Sequence, residues 1–314
     1  MAENLSNPKI QNLPGQETQA VADIIAAVGK KILDKEDAIK TVVAALLAGG
    51  HVLVEDLPGL GKTTLATAVA QVFGMDFNRI QLTSDMMPSD VLGVSIYDSN
   101  SQTFSYHKGP VFTQFLLADE LNRATPKTQS ALLEAMAENQ VSMDGQTYPL
   151  EATFFVMATQ NPIDEAGTYP LPQSQLYRLS LGYPNQDQER KLYDSEYLKT
   201  YQTPLTPLAS PDDLLAWQQQ VSRLHASDEV LDFLQLLIKK TRAHNEIQHG
   251  LSPRAGLSLF RLAQSFAWMA GRNFVTPADV QAAFYPVCRH RLVTVDGRPA
   301  GPCINQILDD TPII

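Results

Sequence analysis

The residues whose types and spacing could do chemistry begin at a glycine-rich turn between a short apolar run and a helical pattern. Such a turn aims several backbone N–H groups at one point, and the positive end of the helix behind it adds to the attraction for phosphate. We expect Lys62 to reach the β- and γ-phosphates of a nucleotide and the Thr63 hydroxyl to bind Mg²⁺. The turn therefore predicts a site for ATP and Mg²⁺ that comprises Asp56, Leu57, Pro58, Gly59, Leu60, Gly61, Lys62, Thr63 and Thr64.

The turn departs at one position from the strict phosphate-loop pattern G-x-x-x-x-G-K-[ST], because Asp56 stands where the first glycine belongs. That position closes the strand and does not require a positive φ, whereas Gly59 and Gly61 lie where the backbone must approach phosphate. We therefore expect an intact site. The alternative, a loop that starts a helix and binds no ligand, is disfavoured by the strand before it and the helix after it.

Two acids, Asp119 and Glu120, end a second apolar run that begins at Phe115. Open α/β sheets bind ligands at the carboxyl ends of their strands, so a single carboxylate there suits Mg²⁺. We assign that role to Asp119 and expect Glu120 to orient or deprotonate the attacking water. The alternative interpretation is that both acids merely end the strand in solvent.

A third apolar run, 153–158, leads into Thr159, Gln160 and Asn161. Asn161 could hydrogen-bond the γ-phosphate or the attacking water, and an Asn-Pro turn is the alternative. The charge that develops on a transferred phosphoryl group also calls for arginine. The candidates are Arg123, Arg178 and Arg254, which position alone does not rank because each could equally be a surface salt-bridge partner.

Hydrophobic periodicity predicts the elements that must position these side chains. Two amphipathic helices come first, followed by strands at 51–55, 77–82, 115–118 and 153–158, with helices at 62–73 and 126–137. Strands that alternate with helices favour an α/β fold with a parallel sheet covered on both faces. Alternating patterns around polar turns predict β-hairpins at about 92–109 and 141–150.

A stretch rich in Pro, Thr and Ser near 204–211 predicts a domain boundary. Beyond it the pattern is helical, with helix starts expected at Ser227, Ser252 and Thr276. We expect a flexible tail at 1–16, an α/β domain at 17–203 that carries the hairpins, and an all-helical domain at 204–314.

Composition excludes several classes of protein. The 314 residues are 44% hydrophobic, with 24 Lys and Arg against 34 Asp and Glu and a net charge of −10. A protein this acidic has no global positive field for nucleic acid or anionic membranes. The N-terminus lacks the apolar segment of a signal peptide, and no run is long enough to span a membrane. We expect a cytoplasmic protein whose Cys288 and Cys303 are reduced.

Three long motifs resemble the MoxR family of AAA+ ATPases: LLADELNRATPKTQSALLEAMAENQVSMDG, FFVMATQNPIDEAGTYPLPQSQLYRLSLGYP and GLSPRAGLSLFRLAQSFAWMAGRNFVTPADVQAAF. The resemblance extends from about residue 20 to the C-terminus. It implies an α/β ATPase domain with a parallel five-stranded sheet of order 5-1-4-3-2, a C-terminal all-α lid and assembly into a ring, usually hexameric. It also implies a chaperone that remodels or matures partner proteins, including metal-cofactor insertion, with a von Willebrand factor A domain protein as a frequent partner. The magnesium chelatase ATPase subunit is a related protein.

The resemblance also implies roles for individual residues. Lys62 and Thr63 correspond to the Walker A motif, and Asp119 and Glu120 to Walker B. Asn161 corresponds to sensor 1. Arg178 matches the arginine finger, which reaches the nucleotide of the next subunit, and Arg254 matches sensor 2 and would bind nucleotide. The two hairpins are expected to face the pore of the ring or its clients, and the pattern at 304–310 implies a complete chain without a fused substrate domain.

Two departures from the family pattern leave the activity open. Tyr177 and Leu179 flank the predicted finger where the family has an acid and an aromatic residue, and Asp34 stands where a glycine is usual before the second helix. We therefore keep two hypotheses. The first is a ring-forming, Mg²⁺-dependent ATPase that remodels a protein partner, and the alternative is an ATP-gated binding and assembly module with little hydrolysis.

Overall fold

The computed structural model describes residues 15–100, 102–161, 168, 169, 176–298, 300–311 and 313. The expected tail at 1–16 therefore lies almost wholly outside the described residues. Within them the strands are β1 His51–Glu55, β2 Phe77–Gln81, β3 Gly93–Asp98, β4 Thr103–Lys108, β5 Phe115–Asp119, β6 Gln140–Met143, β7 Gln146–Pro149, β8 Phe155–Gln160 and β9 Leu176–Leu179.

Helices precede, separate and follow these strands. They are α1 Gln16–Gly29, α2 Glu36–Leu47, α3 Lys62–Val72, α4 Pro88–Leu92, α5 Pro126–Glu138, α6 Gln186–Lys191, α7 Ser195–Gln202, α8 Pro211–Ser222, α9 Asp228–Ala243, α10 Pro253–Met269, α11 Pro277–Cys288 and α12 Gly301–Asp309. A 3₁₀ turn at Leu121–Arg123 follows β5.

The central sheet has five strands in the order β9-β1-β8-β5-β2, all parallel. Numbered along the chain within this sheet, the order is 5-1-4-3-2, so the expected topology is confirmed. Strands β1 and β5 are buried along their whole length, as in a parallel sheet covered on both faces. Glu55 pairs in register with Gln160, and Gln81 with Asp119, so the polar carboxyl ends meet at one edge.

The two expected hairpins are present, because β3 pairs antiparallel with β4, and β6 with β7. The first closes tightly at its base, where a Cβ on Gly93 would lie 2.3 Å from the carbonyl oxygen of His107. Only glycine permits that approach. The rings of Tyr106 and Tyr148 stack with centroids 4.2 Å apart, so the hairpins contact each other.

The C-terminal part, from α8 onward, is helical as expected. The Ser252 hydroxyl accepts the Ala255 N–H at 3.3 Å, and Thr276 with Asp279 forms a reciprocal capping box. Helix α9 begins after Ser227 as expected, although the Ser227 side chain makes no capping hydrogen bond. The predicted helix starts are therefore correct, and two of the three are capped as the sequence indicates.

One hydrophobic cluster runs through both the α/β part and the helical part. Helix α10 packs against α1, α2, α8 and α11, and α11 contacts β9. Trp217 and Trp268 lie inside this cluster with ring centroids 5.9 Å apart. Both cysteines are buried free thiols. The helical part therefore packs on α1, α2 and the β9 edge of the sheet.

A buried histidine begins β1. Val156 N–H donates to Nδ1 of His51 at 3.1 Å, so the other ring nitrogen, Nε2, donates to the Met136 carbonyl at 3.1 Å. Both nitrogens of the neutral ring are thereby satisfied. Burial lowers the pKa of His51 from 6.5 to about 4, although the bond to Met136 opposes the shift.

This histidine makes the stability of the fold sensitive to acid. Between pH 6.5 and pH 4 the unfolded chain binds a proton at His51 that the folded chain refuses, so folding stability falls as the pH is lowered. We expect this group to remove up to roughly 3 kcal/mol of unfolding free energy over that range. Urea unfolding at several pH values should show the loss in the wild type and a shallower dependence in His51→Gln. Identical pH dependence in the two proteins would contradict the assignment.

Candidate active site

The phosphate loop connects the end of β1 to the first turn of α3. Gly59 and Gly61 have φ of +85° and +89°, in the left-handed region that glycine enters without strain. Helix α3 begins at Lys62, directly after Gly61. Its first N–H groups have no partner within the helix and carry the positive end of the helix dipole. The loop therefore has the backbone geometry expected of a phosphate site.

Asp56 ties this loop to the segment that follows β9. Its carboxylate accepts the Ser180 hydroxyl at 2.7 Å, the Gly182 N–H at 3.1 Å and the Leu181 N–H. The residue is 6% exposed and does not take a positive φ, in agreement with the expectation that no glycine is needed there. Where the strict motif has a flexible glycine, this chain therefore has a buried carboxylate whose two oxygens both accept hydrogen bonds.

Lys62 follows the loop and lies within electrostatic reach of the two acids at the end of β5. Its ammonium donates to the Asp56 carbonyl at 2.6 Å. Burial lowers the pKa of Lys62 below its ordinary value, and the negative charges of Asp56, Asp119 and Glu120 oppose that shift only in part. The structure therefore brings together the lysine and the acids that the sequence assigned to one site.

Asp119 ends β5 as a buried carboxylate with two partners. Oδ2 accepts from Nε of Arg79 at 2.7 Å, and Oδ1 accepts from the Thr159 hydroxyl at 3.0 Å. Carboxylate and hydroxyl oxygens, such as those of Asp119 and Thr63, are the donors that Mg²⁺ prefers, with water and phosphate completing its shell. In the described part of the chain no three His, Cys, Asp or Glu residues cluster as a metal cage. A carboxylate and a hydroxyl fit an ion whose remaining ligands are water and nucleotide phosphates.

Glu120 has a left-handed backbone, with φ of +57°. Its N–H donates to the Thr159 hydroxyl at 3.0 Å, and its carboxylate pairs with Nε of Arg123 at 3.0 Å. A non-glycine residue held at positive φ costs energy and is typical of functional sites. The conformation turns the chain directly after Asp119 and presents the two carboxylates from one strand end.

Thr159 is a site residue that the sequence reasoning missed. Its hydroxyl donates to Asp119 and accepts the Glu120 N–H, so it holds both acids from the end of the adjacent strand β8. The available signal was a hydroxyl residue at the carboxyl end of an otherwise apolar strand. Asn161 follows two residues later, buried, and its carbonyl accepts from Nδ2 of Asn122 at 3.5 Å. Its predicted contact with phosphate stays a prediction.

A cavity of about 280 Å³ adjoins the phosphate loop on the side of the α1–α2 connection. Asp34, in that connection, takes a φ of +61°, so the turn keeps the conformation that glycine favours. Its Oδ2 accepts the Asn185 N–H at 2.8 Å and fixes the turn to the segment after β9. The absent glycine is therefore replaced by a strained but tethered aspartate.

Comparisons with known proteins agree with this geometry. The family described as "ATPase family associated with various cellular activities (AAA)" matches residues 51–181, and the AAA lid domain matches residues 239–310. YeaC of Bacillus subtilis, named as an uncharacterised protein, is 42% identical over 270 residues that cover 85% of this chain and 84% of YeaC. Chaperone MoxR1 of Mycobacterium tuberculosis is 37% identical over 295 residues that cover 88% of this chain and 76% of MoxR1. The chain belongs to the MoxR family of AAA+ ATPases.

A solved structure shares the fold of this MoxR-family chain. A Cytophaga hutchinsonii protein assigned as an ATPase superimposes with a TM-score of 0.83 and 32% identity, covering 95% of this chain and 96% of the other. The chain is therefore an ATPase with an α/β domain and a helical lid. Among the residues that the structure describes, no helix combines the length and apolarity of a membrane span.

Arg178 of this MoxR-family ATPase lies in the central sheet of its own subunit. It sits within β9, in register with Leu53, and its guanidinium forms an ion pair with the Glu55 carboxylate of its own chain. Its side chain is 21% exposed, and burial, together with the charge of Arg289, lowers its pKa to about 10. In the single chain the guanidinium is engaged within its own subunit. The finger role concerns the nucleotide of the next subunit and stays a prediction.

The neighbours of Arg178, which depart from the family pattern, have structural roles of their own. Tyr177 and Leu179 are buried strand residues, and the Tyr177 hydroxyl donates to the Ser258 carbonyl at 3.1 Å, which anchors β9 to α10. The chain contains no Lys or Arg between Lys127 and Arg178. That segment therefore offers no other cation as a finger.

We expect Arg178→Ala to act on stability. Removing the guanidinium leaves the Glu55 carboxylate buried without its partner, which should lower the free energy of unfolding by about 2–4 kcal/mol. The double variant Arg178→Met with Glu55→Gln should recover more than half of that loss, since no charge is then left unpaired. Denaturant unfolding of dilute protein measures both. Wild-type stability of Arg178→Ala would contradict the structural role of the ion pair. Abolished turnover in a variant of wild-type stability would support the finger role.

Arg254 also lies away from the phosphate loop of its own chain. It lines a cavity of about 450 Å³ together with Gly49, Gly50 and His51, at the beginning of β1. The phosphate loop follows the other end of that strand, about 16 Å away at about 3.3 Å per residue. Arg254 therefore lies away from the phosphate loop of its own chain, and its predicted contact with nucleotide stays a prediction.

Proposed function

We propose that this ATPase uses Mg²⁺, works as a ring-shaped homo-oligomer, most simply a hexamer, and couples ATP hydrolysis to the remodelling or maturation of a partner protein. The observation that carries the proposal is the convergence of Lys62, Asp119 and Glu120 beside a phosphate loop, with Thr159 holding both acids. A loop that merely starts a helix would need no such acids.

The residues divide the chemistry among them. When phosphate enters, the Lys62 ammonium exchanges the Asp56 carbonyl for the β- and γ-phosphates. Thr63 and Asp119 would hold Mg²⁺, which supplies charge neutralisation on the phosphate oxygens. Glu120 accepts a proton from the attacking water or orients it, and Asn161 bonds the γ-phosphate or the same water. Freeing Glu120 for this task requires its exposed partner Arg123 to release it, a small cost for an exposed ion pair.

The placement of the arginines supports a shared active site. Arg178 is held by Glu55, and Arg254 is exposed at the edge of the sheet opposite its own phosphate loop. An arginine needed at the transferred phosphoryl group would then come from an adjacent subunit. Arg254 is exposed and is the candidate for that contact with the neighbouring nucleotide. This supports a ring in which each site is completed by its neighbour.

A protein client is favoured over nucleic acid. The chain carries a net charge of −10, and its relative MoxR1 is named a chaperone. The β3–β4 hairpin exposes Val94, Ile96, Tyr97 and Phe104, an apolar surface suited to protein contact. We propose that the protein is cytoplasmic and acts on a protein client. The finer candidates for that client are a von Willebrand factor A domain protein and an enzyme that acquires a metal cofactor.

The alternative is an ATP-gated binding and assembly module with little hydrolysis, and it is motivated by Tyr177 and Leu179, which depart from the family pattern beside Arg178. Steady-state ATPase rate against protein concentration, with molecular mass measured with and without ATP and Mg²⁺, tests the proposal. Specific activity that rises as a nucleotide-dependent ring forms supports it. Assembly on ATP with a burst of phosphate and no steady turnover favours the module, and a monomer active at all concentrations contradicts the ring.

A further inference from the structure

Helix α7 covers the cavity beside the phosphate loop. The 280 Å³ space has Gly59–Gly61 and Thr64 on one side and Tyr197 and Tyr201 of α7 on another. Its volume is close to the lower end of ligand pockets, about 300 Å³. The cavity therefore has room for a small ring system directly next to the place where phosphates would bind.

The helix is held there by polar contacts. The Lys31 ammonium donates to the Tyr201 carbonyl at 3.0 Å and to the carbonyls of Thr200 and Thr203, and the Tyr197 hydroxyl donates to the Lys31 carbonyl at 2.8 Å. A cation at the last carbonyls of a helix stabilises its end. No described side chain of α6 or α7 belongs to the buried hydrophobic clusters. Lys31 therefore fixes α7 over the cavity where core packing does not.

The lining of the cavity suits an uncharged planar ring. Its described walls include Leu33, Pro184 and Leu192 and contain no carboxylate. Its two cations are already engaged, Lys31 with α7 and Lys35 with the Tyr183 carbonyl at 2.8 Å. Phosphates would bind at the loop, so the apolar space beside it fits the base of a nucleotide.

Tyr201 is the residue best placed to contact that base. Its hydroxyl shares a hydrogen bond of 2.9 Å with Oγ1 of Thr64, directly behind Lys62 and Thr63. The Tyr197 ring lies beside it, with centroids 6.2 Å apart. Although its hydroxyl is bonded to Thr64 and its carbonyl to Lys31, Tyr201 is still 46% exposed. An aromatic ring that is already ordered binds a planar ligand at low entropic cost.

We infer that Tyr201 contacts the nucleoside of the bound nucleotide and that α7 is the element that covers this nucleoside. The inference rests on the proposed nucleotide site. The helical lid does not take this role, because α10 packs on α1 and α2 and its Arg254 lies at the opposite edge of the sheet. Tyr201 thus sets the affinity for the nucleoside part of the ligand, and the phosphate loop sets the affinity for its phosphates.

The test separates those two contributions. Binding of a fluorescent mant-ADP with Mg²⁺ is measured for wild type, Tyr201→Ala, Tyr201→Phe and Tyr193→Ala, and magnesium tripolyphosphate, which has no base or ribose, is used as a competitor. Tyr193 belongs to the same segment, is 77% exposed and does not line the cavity. We expect Tyr201→Ala to bind mant-ADP about tenfold more weakly. Tyr201→Phe and Tyr193→Ala should stay within about threefold of wild type, and tripolyphosphate should compete equally in all four.

Each result of this experiment bears on either the inference about Tyr201 or the proposed nucleotide site. Wild-type affinity of Tyr201→Ala for mant-ADP overturns the inference and leaves the proposed function standing. An equal loss of mant-ADP and tripolyphosphate binding also overturns it, because Tyr201 would then act only through Thr64 and the loop. A wild-type protein that binds neither probe overturns the proposed nucleotide site itself. Thermal unfolding of each variant confirms that the comparison is between folded proteins.

Discussion

Glu120→Gln is expected to slow ATP hydrolysis by about two to four orders of magnitude while ATP stays bound. The amide keeps the size of the side chain but cannot accept the proton of the attacking water. Stability should barely change, because the only ion pair lost in the described contacts of Glu120 is the exposed one with Arg123. Phosphate release in single turnover and retention of a fluorescent ATP analogue measure the two effects separately.

Glu134→Gln is the matched control, since this exposed glutamate of α5 is remote from the carboxyl ends of the strands. It should hydrolyse ATP at the wild-type rate. Unimpaired turnover in Glu120→Gln would remove Glu120 from the mechanism. Loss of nucleotide binding in that variant would instead make its carboxylate part of the binding site.

Asp56→Gly creates the strict phosphate-loop motif, and we nevertheless expect it to damage the protein. The change removes the acceptor of the Ser180 hydroxyl and of the Leu181 and Gly182 N–H groups, which lie around a buried site. Leaving such donors unpaired should lower the free energy of unfolding by about 2–4 kcal/mol. The loop would also gain backbone freedom and bind nucleotide more weakly. Urea unfolding and mant-ADP titration measure these losses.

Asp144→Gly offers a control of the same chemistry with the opposite expectation. Asp144 is exposed in the β6–β7 turn with a φ of +51°, so glycine should be neutral or slightly stabilising there. Asp56→Asn keeps one acceptor oxygen and should fall between wild type and Asp56→Gly. If Asp56→Gly matched the wild type in both stability and affinity, the carboxylate would have no role in holding the loop.

The parts of the site that could be predicted from the sequence are those set by local pattern. Gly59 and Gly61 had to take positive φ, and acids at the ends of apolar runs had to meet once the strands were parallel. The strand order followed from the resemblance to the MoxR family. The electrostatic influence of these acids on Lys62 follows from the same placement.

The remaining features depend on contacts between distant segments. Asp56 finds its partners more than 120 residues later, and Tyr201 meets Thr64 across 137 residues. Neither pairing can be predicted from the local sequence. The ion pair of Arg178 with Glu55 likewise comes from the register of β9 on β1, which the motif around Arg178 does not reveal. The position of Arg254 near the beginning of β1 comes from the packing of α10, which the motif around Arg254 does not reveal.

The hydrophobic cluster shared by the sheet and the C-terminal helices determines what can move in this subunit. Swinging those helices away as a rigid body would expose to water the apolar sides of α2 and α10, including Leu46 and Trp268, at a large free-energy cost. The described residues of the two parts share a continuous apolar interface. The name "lid" therefore describes this domain by its family and not by its motion, and heat should unfold both parts in one cooperative step.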